Sequence, residues 1–132
     1  MGENAEIVRR ACELFNERDL DGFLALMDPA VEFHDVPEIP DSGVYGGHDG
    51  IRQWYAKLED VSDDLRFSIW EMDERGASVL VDTGADMHGA GSGVEIGWRF
   101  WTLWRVHDGL ITYHHGYSEQ AAAREAFEQT SP

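Results

Sequence analysis

Cysteine is nearly absent: the 132 residues hold one, Cys12. A disulfide framework within the chain is thereby excluded, and a reducing compartment fits. Basic residues are also scarce, ten Lys and Arg against 26 Asp and Glu, for a net charge of −16. Such a chain is repelled by nucleic acid and by anionic membranes, so neither is expected as a partner. The acidity favours solubility and does not by itself point to a cationic substrate. No apolar run approaches the length of a membrane span. The opening residues, MGENAEIVRR, have no apolar core of the kind a signal peptide needs, and Glu6 stands where a myristoylation site has Ser or Thr. The expectation is a cytoplasmic protein.

What is abundant is aromatic surface. Phe, Trp and Tyr make up 11% of the chain, and five of them are Trp. Side chains of this kind supply core and pocket area. The length suits one domain, residues 1–132, able to bury its own core. There are no repeats and no second domain is expected.

Residues 4–17 read as a helix, with Ile7, Ala11, Leu14 and Phe15 on one apolar face. Leu20, Phe23, Leu24 and Met27 give a second short helix, which Asp28-Pro29 ends. Residues 31–35, VEFHD, alternate as a half-buried strand does. Residues 36–47 read as a long ordered loop or lid. In it Val36, Ile39, Val44 and Tyr45 could cap a pocket, while Glu38 and Asp41 stay solvated. Ile51, Trp54, Tyr55 and Leu58 mark a third helix. From Leu65 the period changes to two, giving strands over 65–73, 77–88, 94–106 and 110–118. Glu74-Arg75-Gly76 and His107-Asp108-Gly109 are hairpin turns. Residues 89–93, GAGSG, precede a strand and not a helix, so they are a turn and no phosphate cradle. An Ala-rich helix over 119–129 ends the chain. Helices on one face of a curved, mostly antiparallel sheet define an α+β layer fold, and strong curvature encloses a pocket.

Asp35 is in phase with Val31 and Phe33, the apolar positions of its strand. A carboxylate facing inward is costly unless paired or protonated. In an apolar pocket its pKa is expected to rise, which suits a general base. The alternative is a strand end bonded to the following loop. Tyr55 shares an apolar helix face, so it is either a pocket hydroxyl or a core aromatic with one hydrogen bond. His114 and His115 are neighbours on one strand and must point to opposite faces. Trp98, Phe100, Thr102 and Trp104 are taken as pocket-facing, because the opposite set holds both Arg99 and Arg105. His114 then faces in with Thr112 and Gly116, and His115 faces out with Tyr113 and Tyr117. An inward His114 opposite Asp35 would make a carboxylate–imidazole pair for proton transfer, or a hydrogen-bonded histidine without turnover. His34, His88, His107, His114 and His115 lack any tight ligand spacing, so no metal is expected. Cys12 lies on a helix with no His near it in sequence, which argues against a thiol nucleophile. No organic cofactor motif is present.

The stretches AEIVRRACELFNERDLDGFLALMDPAVEFHD, GVYGGHDGIRQWY and HDGLITYHHGYSEQAAAREAF resemble the SnoaL-like branch of the nuclear transport factor two-like superfamily. The resemblance covers nearly the whole chain. It implies a cone-shaped α+β barrel with a deep pocket, usually dimeric through its sheet. The superfamily includes ketosteroid isomerase, polyketide cyclases, limonene epoxide hydrolase, scytalone dehydratase and non-catalytic adaptors. Isomerases of this type keep a proton-shuttling Asp where Asp35 stands, and a helix Tyr supporting the oxyanion hole where Tyr55 stands. The chain departs from them at Ala11, where they carry an oxyanion tyrosine, and at Thr102, where they carry a protonated acid. The electrophilic half of the isomerase site is missing. The Asp-Arg-Asp relay of the epoxide hydrolases is not matched either, since Arg99 is out of phase with the inward set. Scytalone dehydratase resembles the present pattern in using pocket histidines.

The expected site joins Asp35 as base, His114 as proton partner and Tyr55 or Thr102 as the group that polarises oxygen. Phe15, Phe33, Trp54, Trp98, Phe100 and Trp104 line it. Its ligand is a small, largely apolar molecule with one or two oxygens. The reaction would be isomerisation, cyclisation or dehydration; the rival is a binding module without turnover, and an epoxide hydrolase-like enzyme is a further alternative. Trp101 and Tyr113 on the outer face fit a homodimer or another partner chain.

Overall fold

The computed structural model describes residues 2–35, 43–62, 64–88 and 95–129. The lid positions Val36, Glu38, Ile39 and Asp41 and the turn at 89–93 lie outside the described residues. Helix α1 spans Glu3–Asn16 and buries Ala5, Val8, Ala11, Cys12, Leu14 and Phe15 along one stripe. Its last residue ties it to the sheet. The Asn16 side-chain amide donates to the Phe67 carbonyl at 2.8 Å and accepts from the Phe67 N–H at 2.9 Å. Helix α2, Leu20–Ala25, is capped by Asp19, whose carboxylate accepts from the Gly22 N–H at 2.9 Å.

Strand β1 runs from Met27 to His34, four residues earlier than its sequence pattern starts. Met27 therefore belongs to the strand and not to the helix before it. Pro29 has no N–H for the ladder, and the pairing register shifts between Met27 and Glu32. Strand β2, Val44–Gly46, lies in the segment expected to be loop. It pairs antiparallel with β1, placing Tyr45 beside Phe33. Helix α3 spans Gly47–Val61. Strands β3 (Arg66–Arg75), β4 (Ser78–His88), β5 (Glu95–His107) and β6 (Leu110–Tyr117) follow, then helix α4 (Gln120–Glu128).

The six described strands are ordered β2-β1-β6-β5-β4-β3. All neighbours are antiparallel except β1 and β6, which run parallel with Phe33 beside His114. Helices α1 and α3 cover one face of the sheet and α4 part of the other. Strand β4 is consequently buried on both faces from Ser78 to Ala85, which is why it reads as a continuous apolar run at its start. Leu103, placed on the outer face, is buried there with Leu80 under Ala123 and Phe127 of α4. A bulge between Ile69 and Glu71 leaves Trp70 outside the ladder and 59% exposed.

Helix α3 seats closely on β2. A Cβ at Gly50 would lie 2.8 Å from the Tyr45 carbonyl carbon and 3.2 Å from its Cα. Backbone cannot swing aside as a side chain can. Gly50→Ala is expected to destabilise the fold by about 1–3 kcal/mol despite alanine's better helix propensity. A lowered urea midpoint would show it; a raised midpoint would mean that α3 can shift.

Candidate active site

Between α1, α3 and the concave side of the sheet lies a cavity of about 630 Å³. That volume is in the range of roughly 300–1,000 Å³ usual for small-molecule sites. Strand alternation sends Phe33 of β1, Phe100, Thr102 and Trp104 of β5, and His114 of β6 into it. Phe15 enters from α1, and Trp54 with Lys57 from α3, three residues apart on one face. Trp98 also lines the cavity but is 37% exposed, and it stacks on Phe100 at 6.5 Å.

Two described carboxylates line the cavity: Asp60 is exposed, and Asp35 is held inside. Its side chain is 8% exposed. The Trp54 indole N–H donates to Oδ1 at 3.1 Å, and the Lys57 ammonium donates to Oδ2 at 3.5 Å. Lys57 also donates to the Tyr45 hydroxyl at 3.1 Å. Burial alone would lower the Lys57 pKa. The Tyr45 hydrogen bond and the Asp35 charge outweigh it and hold the pKa above the ordinary lysine value, so the group is an ammonium at neutral pH. Trp54 is itself fixed: its ring meets Phe15 at 5.6 Å, Phe23 at 6.1 Å and Phe33 at 5.2 Å. The carboxylate is thus oriented by a ring packed against three others.

A second polar patch lies on β4, β5 and β6. The Trp104 indole donates to the Thr102 hydroxyl at 2.8 Å, and the Thr83 hydroxyl lies 3.4 Å from it. His114 is packed between Phe33, stacked at 4.3 Å, and Trp104, edge-on at 4.6 Å. Its Nδ1 is buried and has no hydrogen-bond partner among the described residues. Burial, then the nearby His115 and His34 rings, lower its pKa to about 3 against a weaker opposing bond to the His34 backbone. The imidazole is neutral at ordinary pH.

A SnoaL-like domain model matches residues 8–114. The chain belongs to the SnoaL-like family. This SnoaL-like protein also shares its fold with solved structures. TerC, crystallised with polyporic acid, is 25% identical, covers 97% of this chain and 100% of its own, and superposes with a TM-score of 0.80. An NTF2-like protein from Burkholderia pseudomallei is 23% identical over 97% of each chain, with a TM-score of 0.79. A protein of ketosteroid isomerase-like fold from Catenulispora acidiphila, in complex with trimethylamine, is 17% identical over 89% of this chain and 88% of its own, with a TM-score of 0.76. No curated protein matches the chain.

Asp35 and His114 share the cavity of the SnoaL-like protein but form no hydrogen bond. The parallel register explains it. His114 lies beside Phe33, two residues before Asp35, and the Phe33 ring covers it. The neutral, enclosed ring does not match the proton shuttle expected from the sequence. Tyr55 departs further. It is buried but is not in the cavity wall, because Trp54, Lys57 and Leu58 occupy that face of α3. Its ring packs edge-on against Phe15, and its pKa is raised by burial first and by Glu59 second.

The SnoaL-like chain keeps Cys12 in the wall, yet burial pushes its thiol up to about 12, so it is no thiolate nucleophile. Arg99 is on the opposite face of the sheet. There it grips Asp82 through two bonds and lies over the Trp70 and Trp101 rings. Among the described residues no three His, Cys, Asp or Glu side chains converge as a metal would require. Among the described residues no helix is long and apolar enough to cross a membrane.

Lys57 was not among the residues the sequence pointed to, nor were Phe67 and Thr83. For Lys57 a signal existed. It stands three residues after Trp54, on the same helical face.

Proposed function

We propose that this SnoaL-like protein takes a small, largely apolar, oxygen-bearing molecule into the cavity and moves a proton on it, with Asp35 as the base. One observation carries the reading: a nearly unexposed carboxylate, oriented by an indole N–H, in a cavity wall made mostly of aromatic and aliphatic side chains. Structures do not hold a carboxylate in such surroundings without compensation. TerC, related at 25% identity, was crystallised with polyporic acid, which supports a ligand-taking cavity here. The reaction class is isomerisation, aldol-type cyclisation or dehydration, without a cofactor.

A second reading is a binding module. What favours it is that both Asp35 oxygens already have partners and that His114 is neutral. The test is turnover of an enolisable cyclic ketone, a β-keto ester and a terpene epoxide. Quenching of tryptophan fluorescence is followed with the same compounds and with polyporic acid. Turnover supports the enzyme. Quenching without turnover supports the binding module, and neither would overturn both.

We also propose a homodimer through the uncovered strip of the outer sheet face, where Tyr113, His115 and Tyr117 stack beside His34. Light scattering that gives a monomer would reject it.

A further inference from the structure

The chain lacks the isomerase electrophiles at Ala11 and Thr102, and Tyr55 is not in the cavity wall. A proton cannot be drawn from carbon next to a carbonyl unless the oxygen that gains charge is stabilised. The wall contains one candidate with charge. Among the described residues that line the cavity, Lys57 is the single Lys or Arg. Its Nζ is 3.5 Å from the Asp35 carboxylate, so a base and a cation stand side by side on one wall. Tyr45 holds the ammonium from the other side, with its hydroxyl at 3.1 Å and its ring centroid 5.7 Å away. A cation in a largely apolar cavity acts more strongly on a developing anion than it does in water. The neutral donors at Thr102 and His114 have no such charge.

We propose that Lys57 is the electrophile of this site and that the substrate is an enolisable carbonyl compound whose oxygen lies against its ammonium. This rests on the reading of Asp35 as base. In the step, the Asp35 carboxylate takes a proton from the carbon beside the carbonyl. The C–H electron pair becomes the new C=C bond, and the C=O π pair moves onto oxygen. The resulting enolate oxygen pairs with the Lys57 ammonium. The proton on Asp35 then returns to another carbon of the same molecule, or the enolate carbon attacks a second carbonyl, whose oxygen takes the proton. No oxidant or co-reactant is consumed. An epoxide is not the substrate class this arrangement fits.

The test needs no turnover. 4-Nitrophenol serves as the probe, because its phenolate resembles an enolate in charge and is coloured. Its ionisation when bound is followed by absorbance from mildly acid to mildly alkaline pH. The wild type should bind the phenolate in preference to the phenol, so that the bound probe ionises at lower pH than free probe. Lys57→Met should lose about tenfold or more of that preference, the scale of one partly screened charge pair. Lys57→Arg should retain most of it. Asp35→Asn should increase it, since the competing carboxylate charge is gone. An equal preference in wild type and Lys57→Met would overturn the proposal, as would a wild type that does not favour phenolate or does not bind the probe. Turnover that survives Asp35→Asn, together with loss of phenolate preference in Lys57→Met, would remove Asp35 as base and support Lys57 as the oxyanion partner.

Discussion

Replacing Asp35 by Asn should lower turnover by about 10²–10⁴-fold, the usual contribution of a positioned general base. Affinity for a neutral ligand should stay within a few-fold. The substitution keeps the shape of the side chain. An amide oxygen can still accept from the Trp54 indole, which donates to Oδ1 at 3.1 Å in the wild type. What disappears is the site that accepts the proton. Lys57 also loses a counter-charge at 3.5 Å, and binding of an anionic ligand should tighten for that reason. The loss must therefore fall on kcat. A variant whose KM rises while kcat is unchanged would make Asp35 a binding residue only. A variant with undiminished kcat would move the base elsewhere. The measurement is kcat and KM on whichever compound of the panel the wild type converts, with fluorescence quenching as the independent affinity.

Much of the architecture could be read from periodicity. The change to a period of two after Leu65 marks the strands, though β4 is buried on both faces, and Trp54 with Leu58 marks the buried face of α3. Within the site the same alternation placed Phe33, Phe100, Thr102, Trp104 and His114 around one cavity. Other features follow from long-range pairing that no local pattern carries. Strand β2 has three residues between glycines and exists because β1 offers it an edge. Met27 sits at helical spacing from Phe23, yet it pairs with Ile111 across the parallel register. That register also decides that His114 meets Phe33 and not Asp35. Tyr55 and Trp54 are adjacent on a helix, so only one can occupy the cavity face, and composition does not say which. Lys57 stands on the helical face of Trp54, but nothing local in the sequence gives it a partner. Its role depends on Asp35 and Tyr45, 22 and 12 residues away.

Acid should weaken this fold through His114, and His114→Phe should remove much of the effect. An unfolded histidine takes its proton near the ordinary value of 6.5, whereas the buried ring does so only at about 3. Above 6.5 neither state carries the proton, and this residue adds no pH dependence. Between those limits the unfolded chain binds a proton that the folded chain refuses. Stability therefore falls as pH falls, by about 1.4 kcal/mol for each pH unit across that window. At about pH 5 the loss from this one residue is about 2 kcal/mol, relative to about pH 7. His115 acts in the same direction, since burial and then His34 lower its pKa too. His34 and His115 remain in both proteins, so the difference between wild type and His114→Phe isolates the buried ring. A phenyl group keeps a flat ring between Phe33 and Trp104, and it removes a buried Nδ1 that has no partner among the described residues. The variant should accordingly be at least as stable as the wild type near neutral pH. Urea unfolding of both proteins at the two pH values gives the double difference. A value below about 0.5 kcal/mol would mean that the ring is protonated in place, with the cavity stabilising a charge there.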